Sequence, residues 1–353
     1  MTEVLIPEFL SLAAEKHASD IFIVAGRPLC MKIQGQLVNF GERLMPDTTN
    51  EMIHELYRLA GDRPIDQYIH NGDDDFSFSI PGLSRFRVNA YRQRGSLAAV
   101  IRVIAFQLPN PSELHIPDEV MEVADLTKGM VLVTGPAGSG KSTTLACLID
   151  RINQSREGHI ITLEDPIEYL HRHNKCIVSQ REICMDTNSY LVSLRATLRQ
   201  SPDVILLGEM RDYETIQTAM TAAETGHLVL SSLHTIGAAN TIERILDVFP
   251  PNQQHQIAIQ LSMVLQAVIS QQLIPDVDGR KIPTFEIMRL TPAIRNMIRD
   301  NKIHQIDGVI YSSGQNQMKS MDQSLFELYK KEMITKETAL KFAANPEMLK
   351  RKL

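Results

Sequence analysis

The chain has 353 residues, of which 43% are hydrophobic and 22% charged, and a formal net charge of −6. That length holds about two domains with real cores, and the acidic balance argues against a protein that coats nucleic acid or an anionic membrane. No run of about 18 uninterrupted apolar residues offers a transmembrane helix, and the amino-terminal stretch lacks a basic-then-apolar leader pattern, so a cytoplasmic location without membrane insertion is expected.

Residues 1–108 are predicted to form a small α+β domain. An amphipathic helix carrying Ile6, Phe9, Leu10, Leu12 and Ala13 leads into a strand over 20–24. Further strands are expected at 30–34, 75–79, 85–91 and 97–104, with a helix near 48–60. Leu108-Pro109-Asn110-Pro111, followed by Pro117, is a turn-rich break, so 109–118 reads as a linker. From 119 the pattern becomes strand–helix alternation, which predicts a parallel sheet with helices on its faces. Cys30, Cys147, Cys176 and Cys184 are scattered without a C-x-x-C pair and are expected to be reduced thiols, not zinc ligands.

The most specific segment follows the apolar, β-branched run Met130–Thr134. Residues 135–143 read Gly135-Pro136-Ala137-Gly138-Ser139-Gly140-Lys141-Ser142-Thr143, a complete G-x-x-x-x-G-K-[ST] loop. Leu145, Leu148, Ile149 and Ile152 give the next stretch helical spacing. Strand, glycine loop and helix is the context this motif requires. The glycines let the backbone curl and turn its N–H groups inward on a polyphosphate. The helix start adds its positive dipole end. Lys141 then reaches the β and γ phosphates, and the Ser142 hydroxyl can ligate Mg²⁺, so a nucleoside triphosphate with Mg²⁺ is the expected ligand.

Three more apolar strands each end in polar residues, and the carboxyl ends of parallel strands are where ligands sit. His159–Leu163 ends at Glu164-Asp165-Pro166, Val204–Leu207 at Gly208-Glu209, and Leu228–Leu233 at His234-Thr235. Phosphoryl transfer to water needs a metal clamp, a group that orients the water and positive charge on the γ-phosphate. Glu164, Asp165 and Glu168 form one acidic cluster and Glu209 ends the second strand. Each acid alone reads as a solvated loop or cap, but their joint placement beside a phosphate loop points to catalysis. His234 is a candidate γ-phosphate sensor, and His227, which precedes the same strand, is a weaker one. Arg85, Arg87, Arg92, Arg94 and Arg102 fall in a stretch without Asp or Glu. Each alone reads as part of a basic sheet face; as a set they could reach a nucleotide across a domain or subunit junction. Arg195 and Arg199, spaced i,i+4 on a predicted helix, are further candidates.

Four boxes in order resemble the secretion-type ATPases, and within them the retraction ATPases of type IV pili. They are Gly135–Thr144, Glu164-Asp-Pro-Ile-Glu168, Leu207-Gly-Glu-Met-Arg-Asp212 and the stretch from Gly226-His-Leu-Val to Leu233-His-Thr235. Thr221–Thr225, Leu265–Gln271 and Arg85–Ala90 are similar as well, so the likeness spans nearly the whole chain. The resemblance implies an α/β protein with a RecA-like P-loop ATPase core over 119–290, a smaller amino-terminal PAS-like domain and a carboxy-terminal helical segment over 291–353. It implies ATP and Mg²⁺ as ligands, Glu168 as the glutamate that activates water, and Glu209 as the Walker B acid near Mg²⁺. It further implies a homohexameric ring in which Arg87, Arg92, Arg94 or Arg102 completes a neighbour's site. The ring would work at the cytoplasmic face of the inner membrane on a pilus platform protein, with a paralogous ATPase as a further partner, to depolymerise pili and drive twitching motility.

Thr291-Pro292 is a helix start, and Ala293–Asp300 resembles the A-I-R-N-L-I-R-E motif of retraction ATPases, with Met297 and Asp300 departing from it. Phe22 and Ile236 depart from the family's usual histidine and polar residue. The chain has neither a longer amino-terminal region nor a four-cysteine zinc element, which favours retraction over pilus extension or type II secretion. A nucleic-acid translocase on the same core is opposed by the acidic balance and the lack of basic–aromatic patches. An accessory, non-hydrolysing subunit is opposed by the intact boxes.

Overall fold

The computed structural model describes residues 6–104, 108–313 and 318–353. The first few residues of the domain expected over 1–108, and its last residues before the linker, lie outside them. Two compact units emerge, one comprising 1–107 with 168–170, the other 108–167 with 171–353.

The first unit begins with helix α1 (Ile6–Glu15), which buries Ile6, Phe9, Leu10 and Ala13 on one stripe. Strands β1 (Asp20–Ile23), β2 (Pro28–Ile33) and β3 (Gln36–Arg43) follow, then helices α2 (Pro46–Leu59) and α3 (Asp66–Asn71), then β4 (Asp73–Ile80), β5 (Ser84–Gln93) and β6 (Ser96–Ile104). The six strands form one sheet in the order β3-β2-β1-β6-β5-β4, with antiparallel neighbours throughout. Two hairpins close through two-residue turns, Gln34-Gly35 and Arg94-Gly95, in which both residues have positive φ. That geometry matches the right-handed twist of the flanking strands. The sheet buries alternate residues under α1 and α2, with Tyr57 and Phe76 ring centroids 4.7 Å apart at the centre. Strand β3 was not expected from the sequence, and the reason is visible: every residue except Phe40 is exposed, so it carries no apolar alternation.

The second unit begins with α4 (Asp118–Met121), β7 (Gly129–Thr134), α5 (Lys141–Ser155), β8 (Gly158–Glu164), β9 (Cys176–Glu182) and α6 (Tyr190–Thr197). It continues with β10 (Val204–Leu207), α7 (Tyr213–Glu224), β11 (Leu228–Leu233), α8 (Ala238–Asp247), α9 (Pro251–Val264), β12 (Leu265–Pro275) and β13 (Lys281–Arg289). Helices α10 (Pro292–Arg299), α11 (Ile306–Ser312), α12 (Met321–Lys330), α13 (Lys336–Phe342) and α14 (Pro346–Lys350) complete it. Its sheet runs β13-β12-β7-β11-β10-β8-β9. All neighbours are parallel except β12 and β13. This is the mixed α/β, RecA-like arrangement.

Strands β7, β10 and β11 are buried along their whole length, as parallel strands covered on both faces must be. Their continuous apolar runs still sort with period two. Met130, Leu132, Ile205 and Leu207 face one layer with α7, α8 and α9. Val131, Val133, Val204 and Leu206 face the other, where Leu145, Leu148 and Ile152 of α5 lie. The pairings Leu233–Thr134, Leu207–Ser231 and Leu163–Leu207 bring the carboxyl ends of β7, β11, β10 and β8 to one edge.

Candidate active site

At that edge the loop leaving β7 turns at once into α5. Gly135, Gly138 and Gly140 have φ of 144°, 73° and 88°. A Cβ on Gly135 would overlap the Gln271 carbonyl oxygen of β12, and one on Gly140 would press on the Gln271 side-chain amide. Gln271 is buried, and its Oε1 accepts from Thr144 Oγ1 at 2.7 Å. One side chain of the neighbouring strand thus braces both the loop and the first turn of α5.

Lys141 is 8% exposed, an unusual setting for an ammonium. Its Nζ donates to the carbonyls of Gly135 at 2.9 Å and Pro136 at 3.1 Å, which folds the side chain back over the loop. Ser139 Oγ is buried with no hydrogen-bond partner among the described residues. Loop amides at the start of a 15-residue helix, a buried ammonium and an orphaned hydroxyl are together the donor set of a polyphosphate cradle. Ser142 is exposed and Thr143 half-buried at the head of α5, and Ala137 is exposed in the loop itself. Beside Gly140, Thr143 and Thr144 lies a cavity of about 550 Å³, walled by Leu114, Ile116 and Leu273, with Arg280 among its polar lining.

His234 links the lysine to the second acid. Its Nδ1 is 3.4 Å from Lys141 Nζ, and its Nε2 is 3.4 Å from Glu209 Oε2. Because the ammonium can only donate, Nδ1 accepts, and the proton of a neutral ring then sits on Nε2, facing the carboxylate. The Glu209 approach lies within ion-pair range but is not aligned as a hydrogen bond, since Oε2 has no such partner. The other oxygen, Oε1, pairs with Arg211 at 2.5 Å. The turn carrying Glu209 is held by Ser232 Oγ, which donates to the Gly208 carbonyl at 2.6 Å.

The first acidic cluster is divided. Glu164 accepts from Thr162 Oγ1 at 2.6 Å and Gln180 Nε2 at 3.2 Å, so it fixes its loop. Asp165 and Glu168 are exposed; Glu168 belongs with Tyr169 and Leu170 to the first unit. Strand β9 grips both flanks of this segment: Ile167 N donates to Glu182 Oε2 at 3.3 Å and His171 N to Gln180 Oε1 at 2.8 Å. Burial drives the His171 pKa down to about 4, so the ring is neutral at neutral pH.

Sequence reasoning missed Gln271, Gln180, Arg211 and Tyr190. The Tyr190 hydroxyl lies against Gly208. Burial, and then the charges of Asp165, Glu209 and Glu164, push its pKa up, so it stays protonated and can donate. A polar residue inside a buried strand was the available signal for Gln271. Nothing in spacing singled out Tyr190.

Other candidates lie elsewhere. His227 is at the opposite end of β11, its Nδ1 hydrogen-bonded to the Ala222 carbonyl at 2.8 Å. Helix α6 ends at Thr197, so Arg199 lies beyond it, where it donates to the Arg195 carbonyl at 3.2 Å; Arg195 pairs with Glu214 at 3.9 Å. In the first unit, Arg87 and Arg102 are direct cross-strand partners. Their acids come from adjacent strands: Asp75 reaches Arg87 at 2.7 Å and Asp20 reaches Arg102 at 3.2 Å. Arg92 donates to the Ile69 carbonyl at 3.1 Å, and Arg94 opens the turn between β5 and β6.

A family model described as type II/IV secretion system protein matches residues 1–302. The chain is 43% identical over 343 residues to the type IV pilus retraction ATPase PilT of Pseudomonas aeruginosa, covering 97% of this chain and 99% of the relative. It is 47% identical over 283 residues to a twitching motility protein of Neisseria gonorrhoeae, covering 80% and 76%. Among solved structures it is similar to the pilus retraction motor PilT with bound ADP, with a TM-score of 0.89, 45% identity and coverage of 99% and 100%.

Proposed function

The chain belongs to the type II/IV secretion system protein family, and from that premise we propose that it is an ATP-hydrolysing motor that powers type IV pilus retraction. The observation that carries this reading is the line from Lys141 through His234 to Glu209 beside the glycine loop. Of the three, only the lysine belongs to a generic phosphate loop. The histidine between it and the strand-end acid gives the site a group that feels the γ-phosphate and the metal side together.

The backbone N–H groups of Gly138 to Ser142 hold the phosphates, with Lys141 turned from the loop carbonyls onto the β and γ oxygens. The cavity walled by Leu114, Ile116 and Leu273 takes the nucleoside. Ser142 and Glu209 would hold Mg²⁺, which would supply charge neutralisation on the transferring phosphoryl group. Glu168 accepts a proton from the attacking water as its oxygen bonds to γ-phosphorus and the bond to the leaving ADP oxygen breaks. Glu164 and Gln180 keep that segment in place, and His234 reports the change through its Nε2–H.

The working form is a homohexamer at the cytoplasmic face of the inner membrane, acting on a platform protein and sharing work with a paralogue. Among the described residues no helix is long and apolar enough to cross a membrane. Arg87 and Arg102 serve a neighbouring copy's nucleotide. Both sit on an outer sheet face where an aspartate is their counter-ion, and phosphate oxygens offer a guanidinium the same planar recognition.

Hydrolysis by purified wild-type chain, Lys141→Ala and Glu168→Gln tests this reading. Wild type turns over, Lys141→Ala loses nucleotide binding, and Glu168→Gln binds ATP but falls by at least about 10²-fold in kcat. Full turnover in Glu168→Gln would remove that residue from the chemistry.

A further inference from the structure

Glu286 lies on β13, buried at 8% exposure. Its Oε1 accepts from the Ala238 backbone N–H at 2.8 Å, and its carboxylate shares a cavity with Met321, whose backbone N–H favours the charged form. These amides belong to the first residues of α8 and α12. One carboxylate therefore binds the N-terminus of one ten-residue helix and faces that of another, where unpaired N–H groups and the helix dipole favour negative charge.

The arrangement is costly for a simple cap. Ser320 already caps α12 locally, its hydroxyl accepting from Gln323 N at 3.2 Å. Gly237 heads α8 without a side chain, and its N–H is taken by Ser270 Oγ at 2.9 Å. A separate neutral hydroxyl could serve each helix; a shared buried carboxylate carries a desolvation cost that such caps avoid. What sharing adds is a link. Helix α8 begins only Thr235, Ile236 and Gly237 after His234. Helix α12 opens the carboxy-terminal layer in which Met321 and Leu325 pack with Ile274, Ile282 and Leu349. A cavity of about 750 Å³ lies at the same junction, lined by Ile236, Gly237, Glu286, Asp307, Asp322 and Lys341. It gives the two helix starts room to shift together, which a fully packed interior would refuse. Asp322 is committed elsewhere, accepting from the Ala344 and Asn345 amides at 2.6 and 3.0 Å.

We propose that Glu286 is a positioning residue that ties the His234 segment to the carboxy-terminal helices, so that a displacement at the nucleotide histidine is carried to α12. This rests on the reading of His234 as the γ-phosphate sensor. The test uses the full chain. In nucleotide-free protein, Glu286→Ala raises amide hydrogen exchange at both Ala238 and Met321 by about tenfold or more, and the isosteric Glu286→Gln raises it less. In ATP hydrolysis, Glu286→Gln lowers kcat by about tenfold with KM within about twofold, and Glu286→Ala lowers kcat further. Faster exchange at Ala238 alone, or unchanged kcat in both variants, would overturn the proposal. A wild-type chain without turnover would overturn the ATPase reading instead, while the exchange pair would still decide whether the carboxylate bridges the two helices.

Discussion

At the scale of single residues the site depends on close approaches more than on charge. Lys141 is held by two carbonyls of its own loop, and that hold survives only while the loop stays pressed on Gln271. Gly135 and Gly138 make the argument measurable, because both have positive φ but only Gly135 has neighbours where a Cβ would go. Gly138→Ala adds backbone strain of about 1–2 kcal/mol. Gly135→Ala adds to strain an overlap with backbone atoms that cannot swing aside. Chemical denaturation without nucleotide is therefore expected to show Gly135→Ala as clearly the more destabilised, with its phosphate loop displaced. Equal stabilities would mean that the β12 contact does not shape the loop. The arginines teach the complementary lesson. Their stretch of sequence has no acid, yet Arg87 and Arg102 are both paired, because β1 and β4 deliver aspartates from other parts of the chain.

Among the elements, the parallel strands were legible because burial on both faces leaves long apolar runs ending in polar residues. The candidates Glu209 and His234 stand at such ends for the same reason, while Lys141 was read from the glycine-loop motif that follows β7. His227 was adjacent in sequence to the same strand but at its amino end, the wrong edge of a parallel sheet. Strand β3 and the short α3 carried too little burial to leave a pattern. Gln180 and Tyr190 act through contacts that only the tertiary fold creates. Helix α10 shows the sequence signal and the packing together. Thr291 caps it, its hydroxyl accepting from Ile294 N at 3.2 Å, while Ile294 and Ile298 are fully buried against the sheet layer. Thr291→Ala should cost about 1 kcal/mol. Ile298→Ala should cost about 2–5 kcal/mol, the range for a truncated core side chain. The exposed Arg295 changed to Ala should stay within about 0.5 kcal/mol. Urea titrations check the order, and a larger loss at Arg295 would assign that side chain a structural partner in the protomer.

For the whole molecule, the family sets the chemistry and, in the proposed ring, assembly decides whether it is used. The Lys141, His234 and Glu209 line is complete within one chain, whereas the arginines are proposed to supply positive charge to a neighbouring copy. A monomer should accordingly bind ATP but turn it over poorly, and a ring should bind it and turn it over fully. The most direct measurement is light-scattering mass taken on the same sample as ATP turnover, across a dilution series. A particle of six times the chain mass whose turnover per chain falls as dilution breaks it into monomers is the expected result. Full turnover by a monomer would contradict the ring motor.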